Sequence, residues 1–193
     1  MYNFIYNKQM DAYTTKQGWI EVLCGCMFSG KSEELIERLK RAKIARQKTQ
    51  IFNSSLDTRY GKGQITSHAR LSMKSAPVKT AKEILKKVKP GTRVVGIDEA
   101  NLFDAALPEV CEELARRGMR VIVAGVDLDY TGKPFEVVAQ LMARAEFVTK
   151  KLAVCTKCGS PASRSKRITK NKSRVLVGAA GVYEARCRKC FED

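Results

Sequence analysis

The sequence has no run of about 18 consecutive apolar residues, so a membrane-spanning helix is not expected. Its first 18 residues, MYNFIYNKQMDAYTTKQG, are polar and mixed and have no apolar centre of the secretory kind, which leads us to expect a cytoplasmic protein. Low-complexity tracts and internal repeats are also missing, so neither a disordered chain nor a solenoid is indicated. There is a single histidine, His68, in a polar stretch, and it is expected to be solvated rather than catalytic. Acidic residues are scarce: 20 Asp and Glu face 36 Lys and Arg, a formal net charge of +16.

Such basicity suits anionic partners, nucleic acid among them. Aromatics are only 7% and do not interleave with the basic residues as they do in single-strand binders. A basic solvated surface with a small anionic substrate is therefore the reading preferred here, with no nucleic acid and no membrane as partner. Residues 1–150 and 151–193 each carry a net charge of +8, so the short tail is much the denser in charge.

What the chain does have is enough apolar residue, 44% of 193, for one ordinary domain with a small appendage. Residues 18–25, GWIEVLCG, read as a buried strand. From Ser32 the spacing of Leu35, Ile36, Leu39 and Ile44 gives a helical apolar stripe. A second strand is expected at 49–53 and a long loop over 54–75. Thr80 and Glu83 have capping-box spacing at the head of a short helix that Pro90-Gly91 stops. Strands at 92–100, 119–127 and 146–154 alternate with helices that run from Pro108 to just before Gly118 and over 136–145. Alternation of this kind means an α/β protein with a parallel sheet covered on both faces. The pattern changes near residue 155. We expect an extension over 1–17, an α/β nucleotide-binding domain over 18–152 and a small metal-binding domain over 153–193.

The chemistry begins at Gly25-Cys26-Met27-Phe28-Ser29-Gly30-Lys31-Ser32, the G-x-x-x-x-G-K-S spelling of a phosphate loop. It lies where the physics requires, after a strand and opening a helix, so backbone N–H groups and the helix's positive end can face phosphate. Lys31 would reach the terminal phosphates and Ser32 would place its hydroxyl on Mg²⁺. A glycine turn without function would not explain why Lys and Ser follow in that order. At the end of another strand stand Asp98 and Glu99. One acid there can serve Mg²⁺, and the other can take a proton from an attacking hydroxyl. The bland reading of both is solvated strand-end charge. Cys155-x-x-Cys158 and Cys187-x-x-Cys190 supply four thiolates suited to a closed tetrahedral, hence structural, Zn²⁺ site. The 28 residues between the pairs must protrude as a hairpin or loop. Cys24, Cys26 and Cys111 lack such partners and read as small apolar filler.

Taken in order, GWIEVLCGCMFSGKSEELI, DTRY, SHARL, GIDEA, VDLDYTGKPF, AVCTKCGSPASR and YEARCRKC resemble the zinc-containing, cellular-type thymidine kinases over about Gly18 to Cys190. The resemblance implies a P-loop NTPase-like fold with a zinc-anchored lasso and an ATP:thymidine 5′-phosphotransferase that accepts deoxyuridine too. It implies that Glu99 is the general base, that Asp98 and Ser32 serve Mg²⁺, and that Arg59 is a phosphate-side arginine. Tyr130 takes the place of the aromatic that stacks on thymine. The lasso main chain around Arg174, Val175, Leu176, Val177 and Gly178 would read the base, with Tyr183 closing the pocket. Family members are usually homotetramers, and dTTP is an expected feedback ligand. The chain departs from the usual Asp-Glu-x-Gln-Phe-Phe at Asn101 and Leu102, both expected beside the nucleoside. It also departs at Cys26, where Pro or a small residue is frequent, and at Tyr130, where Phe is usual. These departures bear on substrate preference and leave every catalytic group in place. A zinc-ribbon ATPase acting on nucleic acid is the rival reading, and a nucleotide-binding regulator without turnover is a third.

Overall fold

A computed structural model describes residues 17–57, 64–66, 72–171, 173, 174, 176 and 181–192. Its centre is a six-stranded sheet formed by β1 (Trp19–Gly25), β2 (Thr49–Ser54), β5 (Ala76–Val78), β6 (Val94–Asp98), β7 (Arg120–Gly125) and β8 (Phe147–Lys151). The spatial order is β5-β2-β6-β7-β1-β8, and every pairing is parallel. All strands therefore end on one side, and β1, β6 and β7, which carry the loop and the acids, are neighbours.

Both faces are covered, as the near-continuous apolar strands require. Successive residues of β1 point to opposite faces, so Val22 and Cys24 enter one core and Leu23 the other. On Leu23's face, helix α1 (Lys31–Ile44) buries Leu35, Ile36, Leu39 and Ala42 against Ile51, Ile122 and Ala124. Gly96 of β6 permits that approach, since a Cβ there would lie 2.8 Å from Leu39 Cδ1. Ile44, expected on the same stripe, is instead 82% exposed; it is the last residue of the helix, just before the chain re-enters the sheet as β2. The opposite face is covered by α2 (Lys82–Lys87), α3 (Leu107–Arg116) and α4 (Glu136–Arg144), with Ile84, Leu107, Leu114, Val138 and Leu141 in one core with Phe52, Val95 and Val123. Cys24 and Cys111 are filler in that core, as expected.

Two local expectations need correction. Among the described residues, the stretch expected to be a long loop holds an antiparallel pair, β3 (Gln64–Thr66) with β4 (Ser72–Lys74), and Ile65 is buried under α1. The capping box at Thr80 does not form: α2 has no side-chain cap, and the Ala81 N–H is satisfied by Asp104 Oδ2 at 2.9 Å, from another part of the chain. Pro108 and Gly118 stand where expected, at the start and just past the end of α3, Gly118 with φ +80°.

One acid is buried within the sheet itself. Glu21 of β1 is 3% exposed and accepts from Trp19 Nε1 at 2.8 Å, Arg38 Nη1 at 2.7 Å and the Arg120 guanidinium. Burial alone would raise its carboxyl; hydrogen bonds and charge from Arg120, with the bonds from Trp19 and Arg38, hold it below the ordinary value.

After β8 the architecture becomes small and cross-linked. β9 (Ala153–Val154) pairs with β10 (Pro161–Ala162), β11 (Arg164–Arg167) pairs with β12 (Tyr183–Arg186), and a short helix α5 (Arg188–Glu192) follows. The cluster buried here consists of Cys26, Ala153, Cys155, Ala162, Ala185 and Cys190, all small. No described helix is long and apolar enough to cross a membrane.

Candidate active site

β1 runs out at Gly25, and the chain turns through residues 26–30 into α1. Gly25 has φ +137°, and a Cβ on it would meet Lys151 O at 2.2 Å, so only glycine fits the exit from the strand. Gly30 (φ +78°) is the N-cap of α1 and offers no side chain to the helix, which leaves the first N–H groups for another acceptor. Inside the turn, Ser29 Oγ is buried without a hydrogen-bond partner. Lys31 folds back over the loop, its Nζ donating to Cys26 O at 2.7 Å. Burial pushes its ammonium below the ordinary value, while Glu99 foremost, with Cys26, Asp98 and Asp127, pulls it back. A glycine-framed turn, an orphaned hydroxyl and a lysine with acidic neighbours form a cradle that an anion would complete.

The acids lie at the end of β6, one strand beyond β7 from the loop. Asp98, last in β6, is 5% exposed and accepts from Ser32 Oγ at 3.3 Å and from the Glu99 N–H at 2.9 Å. Burial, and then the Glu99 charge, push its carboxyl up to about 7. An acid held so high gains most from a cation beside it. Glu99 follows in the left-handed region, φ 53°, and is half-buried. That conformation is costly for a residue with a side chain, and strain of this kind gathers at functional sites. A hydroxyl and carboxylates are hard oxygen donors suited to Mg²⁺.

Asp127 was not singled out in the sequence. It lies just beyond β7, 5% exposed; Lys150 Nζ is 2.8 Å from its Oδ2, and its Oδ1 is buried without a hydrogen-bond partner. The signal was there to be used, since Asp127 ends an apolar strand of the same sheet just as Asp98 does.

On the other side, the C-terminal module reaches towards residues 129–135. Asp129 accepts from Thr131 Oγ1 at 2.6 Å, and Thr131 N–H and Lys133 N–H bond the same oxygen, closing a tight turn. Arg174 reaches Asp129 Oδ2 at 3.0 Å and Pro134 O at 2.7 Å. Tyr183 donates to Leu176 O at 3.1 Å. Between them lies Arg167, also missed in the sequence. Its guanidinium carbon is 3.9 Å from the Tyr130 ring centre and 5.0 Å from that of Tyr183, and it donates to Asn171 O, Ser173 O and the Tyr183 hydroxyl. Tyr130, Tyr183 and Leu176 are thereby linked, and Arg174 is tied to Asp129 next to Tyr130. Arg59, Val175, Val177 and Gly178 lie outside the described residues, as does His68. Asn101 Oδ1 accepts the Val126 N–H at 2.9 Å, which ties the turn Ala100–Leu102 to the end of β7, and Leu102 is half-buried beside it.

The four cysteines converge. The sulfurs of Cys155, Cys158, Cys187 and Cys190 all lie within 4.8 Å of one another, and Cys158 and Cys187 are 3.6 Å apart. A tetrahedral zinc with Zn–S bonds of about 2.3 Å needs sulfurs about 3.8 Å apart, so the group could hold such an ion with little movement. Within this group a backbone hydrogen bond from Cys187 leads the causes that bring the Cys155 thiol down to about 6, while burial pushes the Cys190 thiol up to about 12.

A family model described as thymidine kinase matches residues 18–191. The chain belongs to the thymidine kinase family. Among curated relatives, a thymidine kinase of Rhodothermus sp. (strain ITI 518) is 52% identical over 175 residues, covering 91% of this chain and 82% of that one. One from Bdellovibrio bacteriovorus is 50% identical over 181 residues, covering 94% and 89%. Among solved structures, the genome packaging NTPase B204 of Sulfolobus turreted icosahedral virus 2, in complex with ATP-gammaS, is similar at 18% identity with a TM-score of 0.44, covering 72% of this chain and 76% of that one. Likeness at that level says nothing of function. The thymidine kinase assignment rests on the family model and the curated relatives.

Proposed function

We propose that this thymidine kinase family member transfers the γ-phosphate of ATP to the 5′-hydroxyl of thymidine, and of deoxyuridine, giving the monophosphate and ADP in nucleoside salvage in the cytoplasm. The observation that carries the reading is the meeting of Lys31, Ser32, Asp98 and Glu99 at the ends of two strands separated only by β7. Residues 25–32 hold the phosphates, with Lys31 on the terminal ones and Arg59 a further phosphate-side cation. Ser32 and Asp98 hold Mg²⁺, which neutralises charge on the phosphate oxygens. Glu99 accepts the proton of the 5′-hydroxyl as its oxygen bonds to the γ-phosphorus, and the bond to the ADP oxygen breaks. Lys31 follows the charge onto the leaving phosphate. Tyr130 stacks on thymine, Asn101 and Leu102 line the wall behind it, and the main chain of 174–178 with Tyr183 closes over the base. Cys155, Cys158, Cys187 and Cys190 hold a structural Zn²⁺ at the root of that segment. The domains divide as 18–152 and 153–193, and the enzyme works as a homotetramer inhibited by dTTP.

The test is purified protein with MgATP and a panel of ribo- and deoxynucleosides, scored for monophosphate. Thymidine and deoxyuridine should be phosphorylated without any nucleic acid. ATP hydrolysis that depends on DNA or RNA, falls steeply with salt and leaves every nucleoside unchanged would replace this reading with a nucleic-acid ATPase.

A further inference from the structure

The cysteine module touches the phosphate loop as well as the nucleoside side. Met27, inside the loop, donates its backbone N–H to Ser165 Oγ at 3.0 Å, across 138 positions of sequence. Its neighbour Cys26 gives its thiol proton to Ala162 O at 3.3 Å. Ser165 is 2% exposed, Ala162 fully buried and Cys26 1% exposed, so the thiol bond is shut away from water and the Met27 bond is shielded on its acceptor side. Cys26 packs in one cluster with Cys155 and Cys190, two of the four converging cysteines, and its carbonyl is the acceptor for Lys31. From Ser165 the connection continues to the first cysteine pair. Ser165 is paired with Ala185 between β11 and β12, and Ala185 O accepts the N–H of Thr156, which lies between Cys155 and Cys158.

A phosphate loop works by aiming its N–H groups inward at the anion. Here one of them is held outward by a module side chain, which fixes how the rest of the loop lies. We propose that Ser165, seconded by Cys26, is a positioning residue for the ATP subsite, and that the four-cysteine module braces the phosphate loop. This rests on the reading that the loop binds ATP and the cysteines hold a metal. It also gives Cys26 a role beyond filler, because a proline or alanine there has no thiol to donate.

The experiment is calorimetric binding of a non-hydrolysable ATP analogue with Mg²⁺ to the full chain, with bound metal and thermal melting measured on the same samples. Ser165→Ala should weaken binding roughly 3- to 10-fold, the worth of one net hydrogen bond, with metal content unchanged and the melting temperature lowered by only about 2–4 °C. Ser165→Thr, which keeps the hydroxyl, should restore it. In the unaltered protein, stepwise chelation should lower analogue affinity in step with metal loss while the sheet's circular dichroism persists. Unchanged affinity in Ser165→Ala, or affinity indifferent to metal loss, would overturn the proposal. So would an equal loss in Ser165→Thr, because the effect would then be packing rather than the hydroxyl. An unaltered protein that binds no analogue would overturn the nucleotide reading itself, and the brace with it.

Discussion

The two halves of the site are held in place by different forces. The phosphate loop, Asp98 and Glu99 hang from a parallel sheet with an extensive apolar core on each face. The cysteine module's apolar cluster consists of small side chains, and its inner order comes from two short antiparallel pairs, a sulfur cluster and the contacts of Arg167 with the buried Tyr183. So little apolar surface does not hold a fold of this size without a staple. The difference teaches where each part can fail. The catalytic acids are fixed by the core and should keep their places when the module's order is lost, whereas nucleoside capture, and the part of nucleotide affinity that the Ser165 contact supports, should not survive.

The largest expected effect lies on the sheet side. Glu99→Gln should lower kcat on the order of 10²- to 10⁴-fold, as for a lost general base, with thymidine and ATP affinities kept. Near-normal turnover would remove Glu99 from the role. Glu21→Gln should cost about 3–5 kcal/mol of stability by leaving Arg38 and Arg120 without their buried partner, while the thymidine KM of the folded protein stays the same. The pH dependence has a definite sign. The folded Glu21 carboxyl is depressed below its ordinary 4.5, so its contribution is fully present above that value and is lost as pH falls through the folded one. Melting curves of the two proteins should converge in acid, and a gap that widened there would contradict this.

On the module side the effects are selective. Cys158→Ser should lose the metal and raise the thymidine KM before the sheet melts, which metal analysis and circular dichroism would show together. Arg167→Met removes a half-sandwich on Tyr130 worth about 0.5–2 kcal/mol and should raise the thymidine KM correspondingly, with kcat barely changed. Smallest is Leu102→Phe, which should narrow tolerance for 5-substituted deoxyuridines by at most about 1–3 kcal/mol in kcat/KM ratio. Asn101 is a poorer probe of the pocket, because its amide oxygen already serves the Val126 backbone.

The same division explains what the sequence could show. Strands β1, β6 and β7 were legible because residues buried on both faces read as near-continuous apolar runs, and the phosphate loop because its glycines are forced by backbone geometry. The cysteine pairs were legible because metal ligands need fixed spacing. β3 and β4 were not, being three residues each and largely polar. The acceptor for the Ala81 N–H at the head of α2 is Asp104, and no local pattern could point there. Arg167 and Ser165 are ordinary members of a basic, polar segment, and only folding brings them onto Tyr130 and Met27.

Hydrogen exchange of the full protein, read peptide by peptide, tests the central claim that the sheet ends hold the nucleotide and the module captures the nucleoside. A non-hydrolysable ATP analogue with Mg²⁺ should protect residues 25–32 most strongly. Thymidine should protect 129–135 and 183–186 and leave 25–32 nearly unchanged. Thymidine protection confined to the phosphate loop, with none at 129–135 or 183–186, would contradict the account.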